Sequence, residues 1–308
     1  MNNGFPLCIC PVCAELTRES SFMLDHGVLR CPSGHTFDVA REGYVNFLPA
    51  SGRKDAVHGD TKTMLRSRRD FLDRGHYRFL ANALTHACVG VLSGSPTHSN
   101  ECALLDVGCG EGYYLDQLIR MRLEQFDGSI DNGTGQPRLH LYGMDLARDA
   151  ARLSAKRNPQ LRIAVGNTMV RLPFATGSMS IVLNLFAPRN PREFARVLKP
   201  DGMLIVVIPA PEHLQEIRQL VPLLPIEADK QAQVVDQLGG FFELTDHQPV
   251  NAVLQFQPSD VRLLIAMTPN AWFVQDSSLS SIDDIDVLPT QARFILMQFR
   301  RVLRQVQR

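Results

Sequence analysis

The 308-residue chain has no net charge, since 32 lysines and arginines balance 32 aspartates and glutamates. No global field therefore attracts a polyanion, and any nucleic-acid binding has to come from a local basic face. Long apolar runs are also missing; stretches such as residues 204–208 are far too short to span a bilayer. No charged-then-apolar leader pattern opens the sequence, so the expectation is a soluble cytoplasmic protein with no membrane partner. Internal repeats are absent. The seven cysteines, four of them among the first 31 residues, are not spaced as a disulfide framework. They read better as a reduced chain with a metal site. The length suits one main domain with a smaller one attached.

The metal reading is specific. Cys10-Pro-Val-Cys13 places two thiolates on one side of an ion, and Cys31-Pro-Ser-Gly-His35 closes a tetrahedron. A Cys3His set leaves no open position, which points to structural rather than catalytic zinc. Cys8 is too close to Cys10 for the usual knuckle and is left out. A module this short has little core of its own, so metal binding should supply much of its folding energy.

Further along, Leu105-Asp106-Val107-Gly108-Cys109-Gly110-Glu111-Gly112 reads as an apolar strand, an acid and a glycine-rich turn ahead of an amphipathic run. Glycines there let the backbone turn sharply and approach a ligand closely. The later glycine that seats a pyrophosphate in dinucleotide-binding turns is missing. Asp106 stands where a carboxylate could meet a cationic group, which favours S-adenosylmethionine (SAM), with its amine and sulfonium, over NAD. Strands expected at 103–107, 139–144, 162–165, 180–185 and 203–208 alternate with helices, including 148–157 and 192–197. Such alternation implies an α/β, Rossmann-like fold with a mostly parallel sheet. Asp145, at the end of the second strand, could accept hydrogen bonds from a ribose diol or cap the following helix. The polar stretch 127–136 reads as a surface insertion, and 93–100 as a linker.

Between the metal module and this sheet, residues 61–84 read as a helix made basic by Arg66, Arg68, Arg69 and Arg74. Arginine's fork suits phosphate, which would make this segment and the zinc module a phosphate-holding surface, with a merely solvated helix face as the plain alternative. Residues 294–308 read as a basic amphipathic helix. The expected organisation is a zinc-binding module over 1–50, a linker and basic helical segment over 51–100, and the sheet domain over 101–308.

Together, residues 105–112, Asp145, Leu172-Pro173-Phe174 and Lys199-Pro200 resemble a class I SAM-dependent methyltransferase. Cys10-x2-Cys13, Cys31-x3-His35, Glu42-Gly43-Tyr44-Val45-Asn46, the run from Arg69 through Gly75-His76-Tyr77, and Met267-Thr268-Pro269-x-Ala271-Trp272 resemble the RlmA-type 23S rRNA guanine-N1 methyltransferases. The resemblance runs from about Cys10 to Trp272. It implies methylation of a guanine N1 in a domain II hairpin of 23S rRNA, with Cys10, Cys13, Cys31 and His35 as zinc ligands. It also implies SAM contacts at Tyr77, at Gly110-Glu111 and at His213, and family members suggest a homodimer. Ser180 departs from an acid common in related enzymes, and Asp201 from the first glycine of the usual Lys-Pro-Gly-Gly turn.

The acceptor is the harder half of the chemistry, because guanine N1 carries a proton at neutral pH. No motif identifies a base. Asn184, after the fourth strand, is the candidate for orienting the acceptor, with a turn-facing amide as its plain alternative. Phe186 could stack a splayed base or fill the core. Two rivals remain at this level: a methyltransferase acting on a small molecule, and a zinc-stabilised RNA-binding protein without catalysis.

Overall fold

A computed structural model describes residues 4–15, 19–49, 59–94, 101–125 and 138–302. The expected insertion at 127–136 and most of the segments 51–60 and 93–100 lie outside the described residues.

The chain opens with helix α1 (Pro11–Glu15) and strands β1 (Met23–Asp25), β2 (Val28–Arg30), β3 (Thr36–Asp38) and β4 (Tyr44–Asn46). Helices α2 (Lys62–Asp73) and α3 (Arg78–Gly94) follow, then β5 (Glu101–Val107), α4 (Tyr113–Gln125), β6 (Arg138–Asp145), α5 (Arg148–Arg157) and β7 (Arg162–Val165). Next come β8 (Met179–Leu185), α6 (Pro191–Val197), β9 (Leu198–Pro209), α7 (Gln215–Leu220) and α8 (Lys230–Leu238). The chain finishes with β10 (Phe242–Phe256), α9 (Pro258–Ala266), α10 (Ser280–Asp283) and β11 (Leu288–Arg301).

Strands β1, β2 and β3 form a small antiparallel sheet. The other eight form one sheet in the order β10-β11-β9-β8-β5-β6-β7-β4, parallel from β4 to β9 and antiparallel through β11 and β10. Alternation along the strands sends side chains to two cores. Leu104, Ile181, Leu183, Ile205 and Val207 face a layer that includes α3, α4 and α9. Leu105, Val107, Val182, Leu204 and Val206 face the other layer, which holds Phe194 of α6, Leu238 of α8, and Phe22, Leu29 and Cys31 of the N-terminal module.

That module is fastened to the main sheet in two places. Its strand β4 is the sheet's edge strand, parallel to β7. Ile9 N–H donates to Pro173 O at 3.0 Å, and Ala175 N–H donates to Leu7 O at 3.0 Å. Phe22, Phe37 and Phe47 fill the junction, with ring centroids 5.2 to 5.7 Å apart.

Two sequence expectations are corrected. The helix expected over 61–84 is broken into α2 and α3, because Gly75 turns the chain at φ +85°, a left-handed conformation that side chains disfavour. Of the helix expected over 294–308, residues 294–301 are instead part of the strand β11, inserted between β9 and β10; residues 303–308 lie outside the described residues. Thr290, Ala292, Phe294 and Leu296 are buried at a two-residue period, and only tertiary pairing on both sides reveals that period as a strand.

Candidate cofactor cleft and metal centre

The four sequence-chosen metal ligands converge. Cys10 immediately precedes α1, and its N–H donates to Ser20 O; Cys31 N–H donates to His35 O at 3.0 Å, which folds the second pair back on itself. The ligand atoms of Cys10, Cys13, Cys31 and His35 all lie within 4.8 Å of one another. Cys13 Sγ is 3.8 Å from Cys31 Sγ, and His35 Nδ1 is 3.4 to 3.6 Å from the three sulfurs. Zinc–ligand lengths at tetrahedral angles give about 3.8 Å between sulfurs and about 3.6 Å between sulfur and nitrogen. The donor set fits zinc in both chemistry and size. Cys8 is buried elsewhere, in a bridge with Phe174.

At the carboxyl ends of β5, β6 and β8 the remaining candidates gather around the glycine turn. Gly108 has φ +85°, and a Cβ built on it would lie 2.4 Å from Ala187 Cβ. Only glycine lets the turn lie this close to the chain leaving β8. Gly108 N–H donates to Met144 O at 2.8 Å. Asp145 holds the turn from the other side: its Oδ2 accepts from Gly110 N–H and its Oδ1 from Ala147 N–H, each at 2.9 Å. Asp145 thus organises the turn first, and each oxygen keeps a lone pair for a ribose hydroxyl.

Asp106 is 2% exposed, and its Oδ1 has no hydrogen-bond partner among the described residues. Burial, together with the nearby Asp145 charge, raises its pKa to about 7. An unpaired buried carboxylate beside a glycine cradle is the chemistry a cationic amine would complete. The residues present therefore fit SAM.

Glu111 does not point at this cradle. Its carboxylate is 2.5 Å from Arg157 Nη2, and Arg157 Nε donates to its carbonyl at 3.2 Å, so Glu111 bolts the turn to α5. The Glu111 side chain is therefore committed to Arg157. Tyr77 and His213, both buried, meet with the tyrosine hydroxyl 3.5 Å from Nε2. His213 Nδ1 accepts from Arg293 N–H at 3.0 Å, which leaves the proton of the neutral ring on Nε2. Burial lowers the His213 pKa to about 3, so the ring is neutral at physiological pH. Phe294 packs against both, at 5.1 Å from Tyr77 and 4.4 Å from His213.

Asn184, the last residue but one of β8, is fully buried. Its Nδ2 donates to Pro188 O at 3.1 Å, while its Oδ1 has no partner among the described residues. Two residues on, Phe186 adopts φ +56° and keeps 48% of its surface exposed, so it is not a core phenylalanine. Ser180, at the start of the same strand, receives Ala103 N–H at 3.4 Å.

The basic segment divides. Arg68 turns inward: it donates to Asp60 and, at 2.9 Å, to Met267 O, and its Nη1 is 3.4 Å from where a Gly110 Cβ would stand. Arg74 pairs with Asp260 at 2.5 Å. Both are committed to partners within the fold, whereas Arg66 is exposed and Arg69 reaches only Asp73, at 3.5 Å, among the described residues. The signal was available in the helical spacing, which sets Arg68 four residues after buried Met64 and three before buried Phe71. Trp272 and Phe273, 67% and 64% exposed, follow α9, and Arg68 holds the carbonyl of Met267 just past that helix.

A mostly parallel sheet with a glycine turn, an unpaired acid beneath it and a Cys3His cluster on its flank defines a class I SAM-dependent methyltransferase carrying a zinc ribbon. Residues 8–55 match the zinc-ribbon family described as "RlmA, N-terminal", and residues 105–206 match the family described as "Methyltransferase domain". A Micromonospora griseorubida protein provisionally named a 23S rRNA (guanine-N1)-methyltransferase is 34% identical over 88% of this chain and 89% of its own. The Streptomyces fradiae 23S rRNA (guanine(748)-N1)-methyltransferase is 31% identical over 88% of each chain. The chain belongs to the family of RlmA-type 23S rRNA (guanine-N1)-methyltransferases. Among the described residues no helix is long and apolar enough to cross a membrane.

Proposed function

We propose that this chain transfers a methyl group from SAM to N1 of a guanine in a domain II hairpin of 23S rRNA, in the cytoplasm and as a homodimer. The observation that carries the reading is the exit of β8. There a buried, unpaired Asn184 Oδ1 and a strained, half-exposed Phe186 ring lead into Ala187, whose Cβ packs on the glycine turn at Gly108. A left-handed non-glycine residue costs on the order of 1–2 kcal/mol, and such strain gathers at ligand sites.

Bound against Asp106 and the glycine turn, SAM supplies an electrophilic methyl group on a sulfonium. The protein's task is then to position the acceptor in line with it. Phe186 offers a face for an unstacked guanine, as RNA readers commonly do. Asn184 Oδ1 accepts from the 2-amino group beside N1 and so fixes the ring's edge while leaving the in-plane N1 position to the methyl. A carboxamide is not a base, so Asn184 orients the ring while the N1 proton is left for solvent. Asp106, Tyr77, His213, Asp145 and the Gly108–Gly110 backbone form the cofactor's side of the cleft. Neutral His213 offers an N–H donor there without adding charge beside the sulfonium.

The test uses protein-free 23S rRNA from a host lacking this gene, SAM and mass-spectrometric mapping of the methylated nucleotide. The expected product is a single N1-methylguanine in the domain II hairpin, beginning the search at the position equivalent to the Streptomyces fradiae target. Asn184→Ala should lower kcat about 10- to 100-fold, the worth of one buried hydrogen bond in the transition state, with SAM affinity unchanged. Intact SAM binding without RNA labelling would instead support the small-molecule rival. Sedimentation equilibrium checks the dimer.

A further inference from the structure

The division of the basic segment leaves a different cluster of cations open. Where the end of α2, the start of α3, the first turns of α4 and the end of α5 meet, they enclose a cavity of about 350 Å³. Arg69, Arg78, Arg120, Lys156 and Arg157 line it, against only Asp73 and Asp116. Both acids are already taken. Asp73 receives Arg157 at 2.8 Å and faces Arg69 at 3.5 Å; Asp116 receives Arg120 at 2.8 Å and the Asn158 amide at 3.0 Å. Arg78 has no ion-pair partner among the described residues, and Lys156 reaches only Glu42, at 3.9 Å. The lining thus holds five positive side chains against two negative ones; Glu111 and Glu42 behind it offset Arg157 and Lys156, which leaves Arg78 without a counter-charge among the described residues.

We propose that this cavity is a docking site for the sugar-phosphate backbone of the RNA substrate, with Arg69, Arg78 and Lys156 as its phosphate contacts. Two features favour a polymer over a small free anion. The cations stay substantially in solvent, with 44% of the Arg69 and 51% of the Lys156 side chain exposed, whereas a site for a single small anion would enclose its ligand. Arginine forks also match phosphate oxygens in pairs. The cavity is tied to the reaction centre by Arg157, which reaches from its wall to the Glu111 carboxylate and carbonyl, and by Tyr113, which follows Gly112 directly. A backbone seated here runs beside the turn that holds the methyl donor. The inference rests on the proposed RNA substrate and adds the surface that grips it.

The experiment measures the affinity of the full chain for a domain II hairpin transcript between 50 and 200 mM KCl, for wild type, Arg69→Ala/Arg78→Ala and Arg69→Lys/Arg78→Lys. Melting temperature and SAM affinity are recorded alongside. Each lost contact should weaken binding about tenfold, as for other hydrogen bonds to charged groups. It should also shrink the loss of affinity between those two salt concentrations about 3.5-fold, from a slope near 0.9 per phosphate. The alanine pair should thus bind about 100-fold more weakly with its salt response reduced about 12-fold, while SAM affinity stays constant; the lysine pair should keep the wild-type salt slope. Unchanged RNA affinity and salt slope in the alanine pair, with the wild type still methylating RNA, would overturn this site alone. A wild type that neither binds nor methylates the transcript would overturn the substrate reading with it. Loss of inorganic phosphate binding in the alanine pair with RNA affinity intact would make the cavity a free-anion site and refute the proposal.

Discussion

Asp106 couples cofactor binding to pH. Its carboxyl is buried with one oxygen unpaired, and its pKa in the ligand-free protein stands near 7. Only the ionised form can pair with the ammonium of SAM. With half of it ionised at pH 7 and about one part in eleven at pH 6, SAM affinity should fall about tenfold from pH 8 to pH 6. Stability should run the other way. The folded pKa lies above the unfolded value of about 3.9, so the folded state holds the proton more tightly. The ligand-free protein therefore loses stability as pH rises from about 4 through 7, by at most about 4 kcal/mol for a shift of about 3 units. Asp106→Asn removes the buried charge and should weaken SAM binding while raising the melting temperature at pH 8. Isothermal titration calorimetry and thermal melts at half-unit steps from pH 6 to 8 measure both. A wild-type SAM affinity that is flat across this range, or an Asp106→Asn protein that keeps the wild-type pH profile, would refute the reasoning.

Two further outcomes follow from the metal centre and the β8 exit. One equivalent of zinc should be found by elemental analysis, and Cys13→Ser or strong chelation should remove it and lower the melting temperature, because the ribbon has little other core. Phe186→Ala should weaken hairpin binding about 5- to 100-fold, the worth of one stacked base, without moving SAM affinity; an unchanged RNA affinity would place the acceptor elsewhere.

Local patterns carried much of the reading. The Cys10–Cys13 and Cys31–His35 spacings encode their own geometry, because each pair closes within five residues. The β5 turn is equally local, since strand, acid and glycines follow one another without interruption. Misreadings arose where distant partners decide. Residues 288–301 carry enough basic and apolar side chains for either helix or strand, and burial between β9 and β10 settles the matter. Arg68 and Arg69 are neighbours in sequence yet face opposite ways, one into the cofactor cleft and one into the α2–α5 cavity. Composition cannot separate them, though helical phase can. Glu111 shows a similar limit: the motif placed it at the cofactor turn, and only Arg157, 46 residues on, explains where its carboxylate goes.

The pairing of β4 with β7 makes the metal module a guard of the sheet's margin. An edge strand with free N–H and C=O groups is a template for foreign strands, and proteins manage that hazard by covering it. Here the cover is three residues, Tyr44 to Asn46, contributed by the segment that follows the last metal ligand and registered on residues 163–165. At the far margin β10 presents acidic Asp246 and Pro249, which obstruct addition of another strand. At the guarded margin β7 offers only Arg162 at its start, and the backbone edge of Ile163, Ala164 and Val165 is paired by the cover. Loss of zinc would thus expose an apolar strand to other chains, and metal starvation would reach this protein first as a problem of solubility.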